Sequence, residues 1–200
     1  MIPRFYDVTE GSVTVDGRDV RDYKIEELRQ KIGMVPQRAV LFRGTIRDNM
    51  RVGNELADDV EIMEAVKRAQ ALESGRRETG WLDTMINEGG KNLSGGQRQR
   101  LTIARALVRK PQILILDDSA SALDFATDAR LRKAVRDLKD MTVFVVSQRA
   151  ASVMQADRIM VMDDGKLVGI GTHEELMETC EVYREICLSQ LSEKEVGRHA

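Results

Sequence analysis

Two adjacent aspartates, Asp117 and Asp118, end the apolar run Ile113-Leu114-Ile115-Leu116 and precede a small-residue turn. A buried strand that ends on paired carboxylates holds a metal ion or positions a water molecule, because both tasks need negative oxygens fixed at one end of a rigid element. A second constellation is Leu93-Ser94-Gly95-Gly96-Gln97, ahead of the helix-period apolar stripe Leu101, Ala104, Leu107 and Val108. Ser94 and Gln97 have the spacing of a capping box. The free N–H groups and dipole of such a helix start attract an anion, and two glycines let a phosphate approach the backbone. An ordinary capped helix would use the same five residues, so both readings stand on these residues alone.

The elements that must position these groups come from an ordinary globular composition. With 200 residues and 42% hydrophobic side chains, the chain can bury the core of one domain. A net charge of −2, with Lys and Arg scattered among acids, offers no basic face for nucleic acid. No apolar run exceeds four residues, so no segment is long enough to span a bilayer, and no signal peptide is visible. Cys180 and Cys187 lie seven apart on a predicted helix, roughly 10.5 Å of rise, too far for a disulfide between them. They read as free thiols of a reducing cytosol.

Along the chain, Ser12–Val20 alternates around Asp16-Gly17 and predicts a hairpin. Lys31–Gln37 predicts a short strand ending at Pro36, and Asp58 with Glu61 opens a helix by a capping box. Glu73–Asn92 is broken by glycines and reads as loop with a short turn or two. Ser94 opens the next helix and Pro111 closes it. The continuous apolar runs Ile113–Leu116 and Val143–Val146 predict strands covered on both faces. Between them Leu131, Ala134, Val135 and Leu138 share one helical face. A hairpin turning at Asp164-Gly165 comes next, then a helix opened by Thr172 and Glu175. His173, beside that cap, reads as a surface residue, and His199 lies in a charged tail. This order argues for an α/β fold.

The run from Leu93 to Asp124 resembles the signature motif, following helix, Walker B strand and D-loop (Ser121, Ala122, Leu123, Asp124) of ATP-binding cassette (ABC) nucleotide-binding domains. Met34-Val35-Pro36-Gln37 resembles the family's Q-loop. Leu41–Met50 and Ile86–Asn92 resemble segments of exporter-type members, and Gly165–Leu176 resembles the closing hairpin and helix. The resemblance implies a P-loop NTPase core at 1–47 and 106–172 with a mostly parallel sheet, a helical signature subdomain at 48–105, and a C-terminal helix and tail at 173–200. It implies ATP and Mg²⁺ as ligands. Asp117 would support Mg²⁺, Gln37 would sense metal and water, and Asp118 would stand where the water-polarising acid stands.

Three departures from the family pattern qualify this. The family carries glutamate at the position of Asp118; aspartate withdraws the carboxylate by about 1.5 Å. A misplacement of about 1 Å costs on the order of 10²-fold in rate, roughly 2.7 kcal/mol. A histidine that contacts the γ-phosphate is replaced by Gln148, which donates a hydrogen bond but carries no positive charge. No G-x-x-x-x-G-K-[ST] occurs: Asn92 follows Gly90-Lys91, and Leu167 follows Gly165-Lys166. The first residues resemble the segment just after the Walker A helix, so the resemblance implies a cassette truncated after that motif.

A degenerate hydrolytic site beside an intact signature resembles one subunit of a heterodimeric ABC exporter. Such domains pair head to tail, so Ser94, Gly95, Gly96 and Gln97 would complete the partner's ATP site. A transmembrane domain would dock through its coupling helix on Gln37–Met50, where Val40, Leu41 and Phe42 form an apolar cluster that is either a docking groove or local core. The chain would then work at the cytoplasmic face of the membrane. DNA-repair members need a long coiled coil that Arg38–Asn92 cannot supply, and ribosomal members need tandem cassettes. The alternative is a catalytically inert fragment that only pairs with an active cassette.

Overall fold

The computed structural model describes residues 1–72, 80–118, 129, 133–136 and 141–190; the expected D-loop Ser121–Asp124, and Leu131, Leu138 and His199, lie outside the described residues. The chain divides into two compact units, Met1–Phe144 and Val145–Ala200.

The first unit is organised by two parallel strands, β3 (Ile32–Val35) and β6 (Ile113–Asp117), in register from Ile32↔Ile113 to Val35↔Leu116. Against them lies the helix α4 (Gly95–Val108). Gly33 permits that approach: a Cβ there would stand 2.9 Å from Pro111 Cγ and 3.2 Å from the Ala106 carbonyl oxygen. The predicted stripe Leu101, Ala104, Leu107 and Val108 is buried, together with Ile103. Helices α2 (Ile46–Arg51) and α3 (Asp59–Arg68) pack on α4 and bury Met50, Ile62 and Val66. The predicted capping boxes are formed, Asp58 with Glu61 and Ser94 with Gln97.

The predicted hairpin is β1 (Thr14–Val15) and β2 (Arg18–Asp19), turning through Asp16 and Gly17 at φ 50° and 75°. Helix α1 (Ile25–Gln30) comes after it and places Leu28 in a core with Val15, Val20, Tyr23, Ile32 and Ile115. Within the segment expected as loop, 3₁₀ turns form at Trp81–Asp83 and Glu88–Gly90. A two-residue strand, β5 (Met85–Ile86), pairs with β4 (Gly44–Thr45).

The third strand of the sheet is β7 (Thr142–Val146), in the order β3-β6-β7. The expectation that it is covered on both faces is not met. Val143 and Phe144 are half-buried, but Val145 and Val146 are 40% and 55% exposed. Among the described residues the strand stands at the sheet's edge, with one strand neighbour.

In the second unit, α5 (Ala150–Val153) leads to the hairpin β8 (Ile159–Asp163) and β9 (Lys166–Gly171), turning at Asp164-Gly165 as predicted. Helices α6 (His173–Thr179) and α7 (Glu181–Gln190) complete it. The single helix expected to carry both cysteines is broken at Cys180, whose φ of −120° and ψ of 104° are extended. Both thiols are free, as predicted, and buried. The break folds α7 back on α6, and it overturns the surface assignment of His173. That ring is 4% exposed, with Nδ1 2.9 Å from the Tyr183 hydroxyl and the two rings edge to face. Burial pushes the Tyr183 phenol and the Cys187 thiol above their ordinary pKa values.

Candidate functional site

The ends of the parallel pair build the site. Extending the register two residues past Val35↔Leu116 brings Gln37 opposite Asp118, although 81 residues separate them. Gln37 Nε2 donates to Asp118 Oδ2 at 3.3 Å. Asp117 ends β6 half-buried, and the backbone turns at Asp118 into the left-handed region, φ 42°. Aspartate tolerates that conformation better than most residues. The group therefore lies beyond the carboxyl ends of two parallel strands, where open α/β sheets bind their ligands.

Asp117 and Asp118 carry carboxylates, and Gln37 Oε1 takes no part in the bond through Nε2, so the oxygen-bearing residue types that a hard cation would need stand at these strand ends. Among the described residues no group of three or more His, Cys, Asp or Glu is arranged to hold a metal. Two carboxylates fit Mg²⁺, which takes its remaining ligands from phosphate and water, better than an ion that demands a protein cage.

Ser94 stands at the N-cap of α4. Its hydroxyl accepts from the Gln97 N–H at 3.2 Å, and Gln97 Oε1 accepts from the Ser94 N–H at 2.7 Å. The capped-helix reading is thus present in the structure. An anion site at the same place remains open, since the first turn of α4 carries no acid to repel one. The approach to it is tied down by Arg98, which donates from Nη1 to the Leu93 carbonyl at 2.6 Å. Asn92 adds a second tie, donating to the Met85 carbonyl and accepting from the Asn87 N–H, both at 2.9 Å. Gln148 belongs to the second unit. It is exposed, and its carbonyl accepts from Gln190 Nε2 at 2.8 Å.

Two residues missed in the sequence hold the loop that carries Gln37. Asn49, 1% exposed, accepts from the Phe42 N–H at 2.8 Å and donates to the carbonyls of Phe42 and Thr45 at 2.9 and 3.0 Å. Arg105 donates to the Val40 carbonyl at 2.9 Å, and its guanidinium carbon lies 5.6 Å from the Phe42 ring centroid. Leu41 is core, while Val40 and Phe42 are half exposed at 50% and 53%. Of the apolar cluster, Leu41 is thus local core and Val40 and Phe42 are not. Asn49 and Arg105 are polar residues facing inward from short apolar patterns, and that interruption is their only trace in the sequence.

The description "ABC transporter" belongs to the family profile that matches residues 1–121. The chain belongs to the ABC transporter family. An uncharacterized ABC transporter ATP-binding protein of Mycobacterium tuberculosis is 47% identical, over 98% of this chain and 34% of its own length. The ATP-dependent lipid A-core flippase of Desulfotalea psychrophila is 45% identical, over 89% of this chain and 31% of its own. Among solved structures, a bacterial Atm1-family ABC exporter with ATP bound superposes with a TM-score of 0.89 at 35% identity, covering 96% of this chain and 34% of that one. The chain thus has the ABC ATPase form of the P-loop NTPase fold and spans about a third of the length of these relatives.

Proposed function

We propose that this chain is the ATP-binding part of an exporter-type ABC transporter and works at the cytoplasmic face of a membrane. The observation that carries the reading is the Gln37–Asp118 hydrogen bond at the ends of β3 and β6, beside Asp117. It joins the Q-loop and the Walker B strand of the family pattern at one point. Asp117 holds Mg²⁺, which when bound spreads the charge of the β- and γ-phosphates. Asp118 is the acid that orients the attacking water, set back by its missing methylene. Gln37 holds the Asp118 carboxylate, and Gln148 stands in the γ-phosphate position with a donor but no charge. Ser121, Ala122, Leu123 and Asp124 match the family's D-loop by sequence alone.

The chain pairs head to tail with a second nucleotide-binding subunit of different sequence. Ser94, Gly95, Gly96 and Gln97 meet the partner's nucleotide, where the acid-free first turn of α4 receives the γ-phosphate. Hydrolysis at this chain's own site is slow, and the partner's site carries the turnover. The half-exposed Phe42 and Val40 receive a helix of the transmembrane domain. The subdomain division at 48–105, inside an α/β core at 1–47 and 106–172, comes with this assignment.

Two sets of substitutions in the full transporter, read by trapping labelled nucleotide at each site, test the reading. Asp118→Glu with Gln148→His restores reach and charge, and is expected to raise hydrolysis at this chain's site by up to about 10²-fold. Gly95→Asp sets a carboxylate against the γ-phosphate and is expected to abolish turnover at the partner's site. Intact partner hydrolysis in Gly95→Asp would sink the division of labour.

A further inference from the structure

The loop from Pro36 to Arg43 is fastened at three points to three different elements. Gln37 bonds Asp118 at the end of β6, the Val40 carbonyl bonds Arg105 of α4, and the Phe42 backbone bonds Asn49 of α2. Leu41, between the last two, is sunk in the core at 1% exposure. Val40 lies three positions after Gln37, a span of at most about 11 Å. Fixing the Val40 end therefore restricts where the Gln37 amide can go.

We propose that Arg105 is a positioning residue that sets the reach of Gln37 to Asp118 by fastening the far end of the same loop to α4. For its bearing on hydrolysis, this inference rests on the function proposed above. Arg105 is costly where it stands. None of the ion pairs among the described residues includes it, and its Nη1 is buried with no hydrogen-bond partner there. Burial alone pushes its pKa down. A cation held only by one carbonyl and one ring face is poorly compensated, and an apolar side chain of similar length would pack more cheaply. Its use is geometric: a planar fork can bond Val40 and lie on Phe42 at once.

The helix end that carries it is immobilised as well. Gly53, just past α2, lies so close that a Cβ there would be 2.2 Å from the Arg105 carbonyl oxygen. Ser94 stands eleven residues earlier on the same helix, about 16 Å away. A displacement of α4, driven from its signature end or from a body pressed on Phe42, thus reaches Gln37 through Arg105.

The side-chain amide resonance of Gln37, in the isotope-labelled 200-residue chain, reads this linkage directly. It is assigned by its disappearance in Gln37→Ala, and Asp118→Ala marks its position when released from its acceptor. In Arg105→Met the resonance is expected to move toward that released position, with faster amide exchange across Gln37–Arg43. Arg105→Lys, which keeps stem and charge but not the fork, is expected to shift it part of the way. It is also the variant to read should Arg105→Met fail to fold. A Gln37 amide that stays at its wild-type position in a folded Arg105 variant overturns the proposal. This measurement needs no nucleotide, so its failure is distinct from that of the hydrolytic reading, which Gln37→Ala in the full transporter decides: unchanged turnover there removes the role of Gln37 while leaving the linkage standing.

Discussion

His173 and Asp118 have the same difficulty for a sequence reader: in each, the partner is set by a break in the backbone rather than by local pattern. At Asp118 a left-handed turn aims the carboxylate at Gln37. At His173 the extended Cys180 brings Tyr183 back over the first turn of α6. The histidine–tyrosine pair is buried and polar, so removing one partner leaves the other incompletely satisfied. His173→Phe keeps the ring volume but takes away Nδ1. It is expected to destabilise the fold by about 1–3 kcal/mol in urea unfolding, and His173→Phe with Tyr183→Phe should cost less than the sum of the singles. Strict additivity would show that the 2.9 Å contact contributes nothing. The candidate site residues carry local signals instead. Asp117 and Asp118 end an unbroken apolar run, and Ser94 with Gln97 keeps its capping spacing whatever the tertiary context.

At the scale of elements, what could be read was what is local. Capping boxes mark the starts of α3, α4 and α6, and Asp-Gly marks both hairpins, because each signal lies within four residues. Thr45 and Asp48 carry the same box, with the Asp48 carboxylate held below its ordinary pKa first by the Thr45 N–H. Yet α2 spans only six residues, too short to show an apolar period. The two-residue β5 leaves no alternation to detect. The loop from Pro36 to Arg43 was opaque for the opposite reason: its fasteners reach across 7, 65 and 81 residues. The contact between α2 and α4 at Gly53 belongs to the same class. A methyl group there meets backbone rather than a flexible side-chain end, so α2 must back away from α4. Gly53→Ala is expected to cost about 2–3 kcal/mol in denaturant unfolding. A cost under about 0.5 kcal/mol, the size of an ordinary surface change, would mean the two helices are not held together there.

For the whole molecule, the decisive question is how these 200 residues can grip a nucleotide. Both of the chain's glycine–lysine pairs are committed to other work. Gly90 is buried under Arg98, where a Cβ would stand 2.7 Å from Cδ, and Gly165 is the left-handed turn of the β8–β9 hairpin. Neither opens a helix, so neither presents a row of backbone N–H groups to phosphate, which is the physical work of a phosphate-cradling loop. Among the described residues of the first unit, the function proposed above leaves the carboxylate pair for this chain's own site, acting on phosphate only through a cation. The N–H groups at the start of α4 serve, in the proposed arrangement, the nucleotide of the partner. Magnesium-loaded ATP is therefore expected to bind the 200-residue chain with a Kd no tighter than about 1 mM, roughly −4.1 kcal/mol. Isothermal titration calorimetry measures this directly. A micromolar Kd would mean that the chain holds triphosphate through groups other than those described, and the assignment of Asp117 and Asp118 as a site needing a separate phosphate grip would have to be abandoned. Binding at the millimolar level that Asp117→Asn weakens further would place the residual affinity at the end of β6.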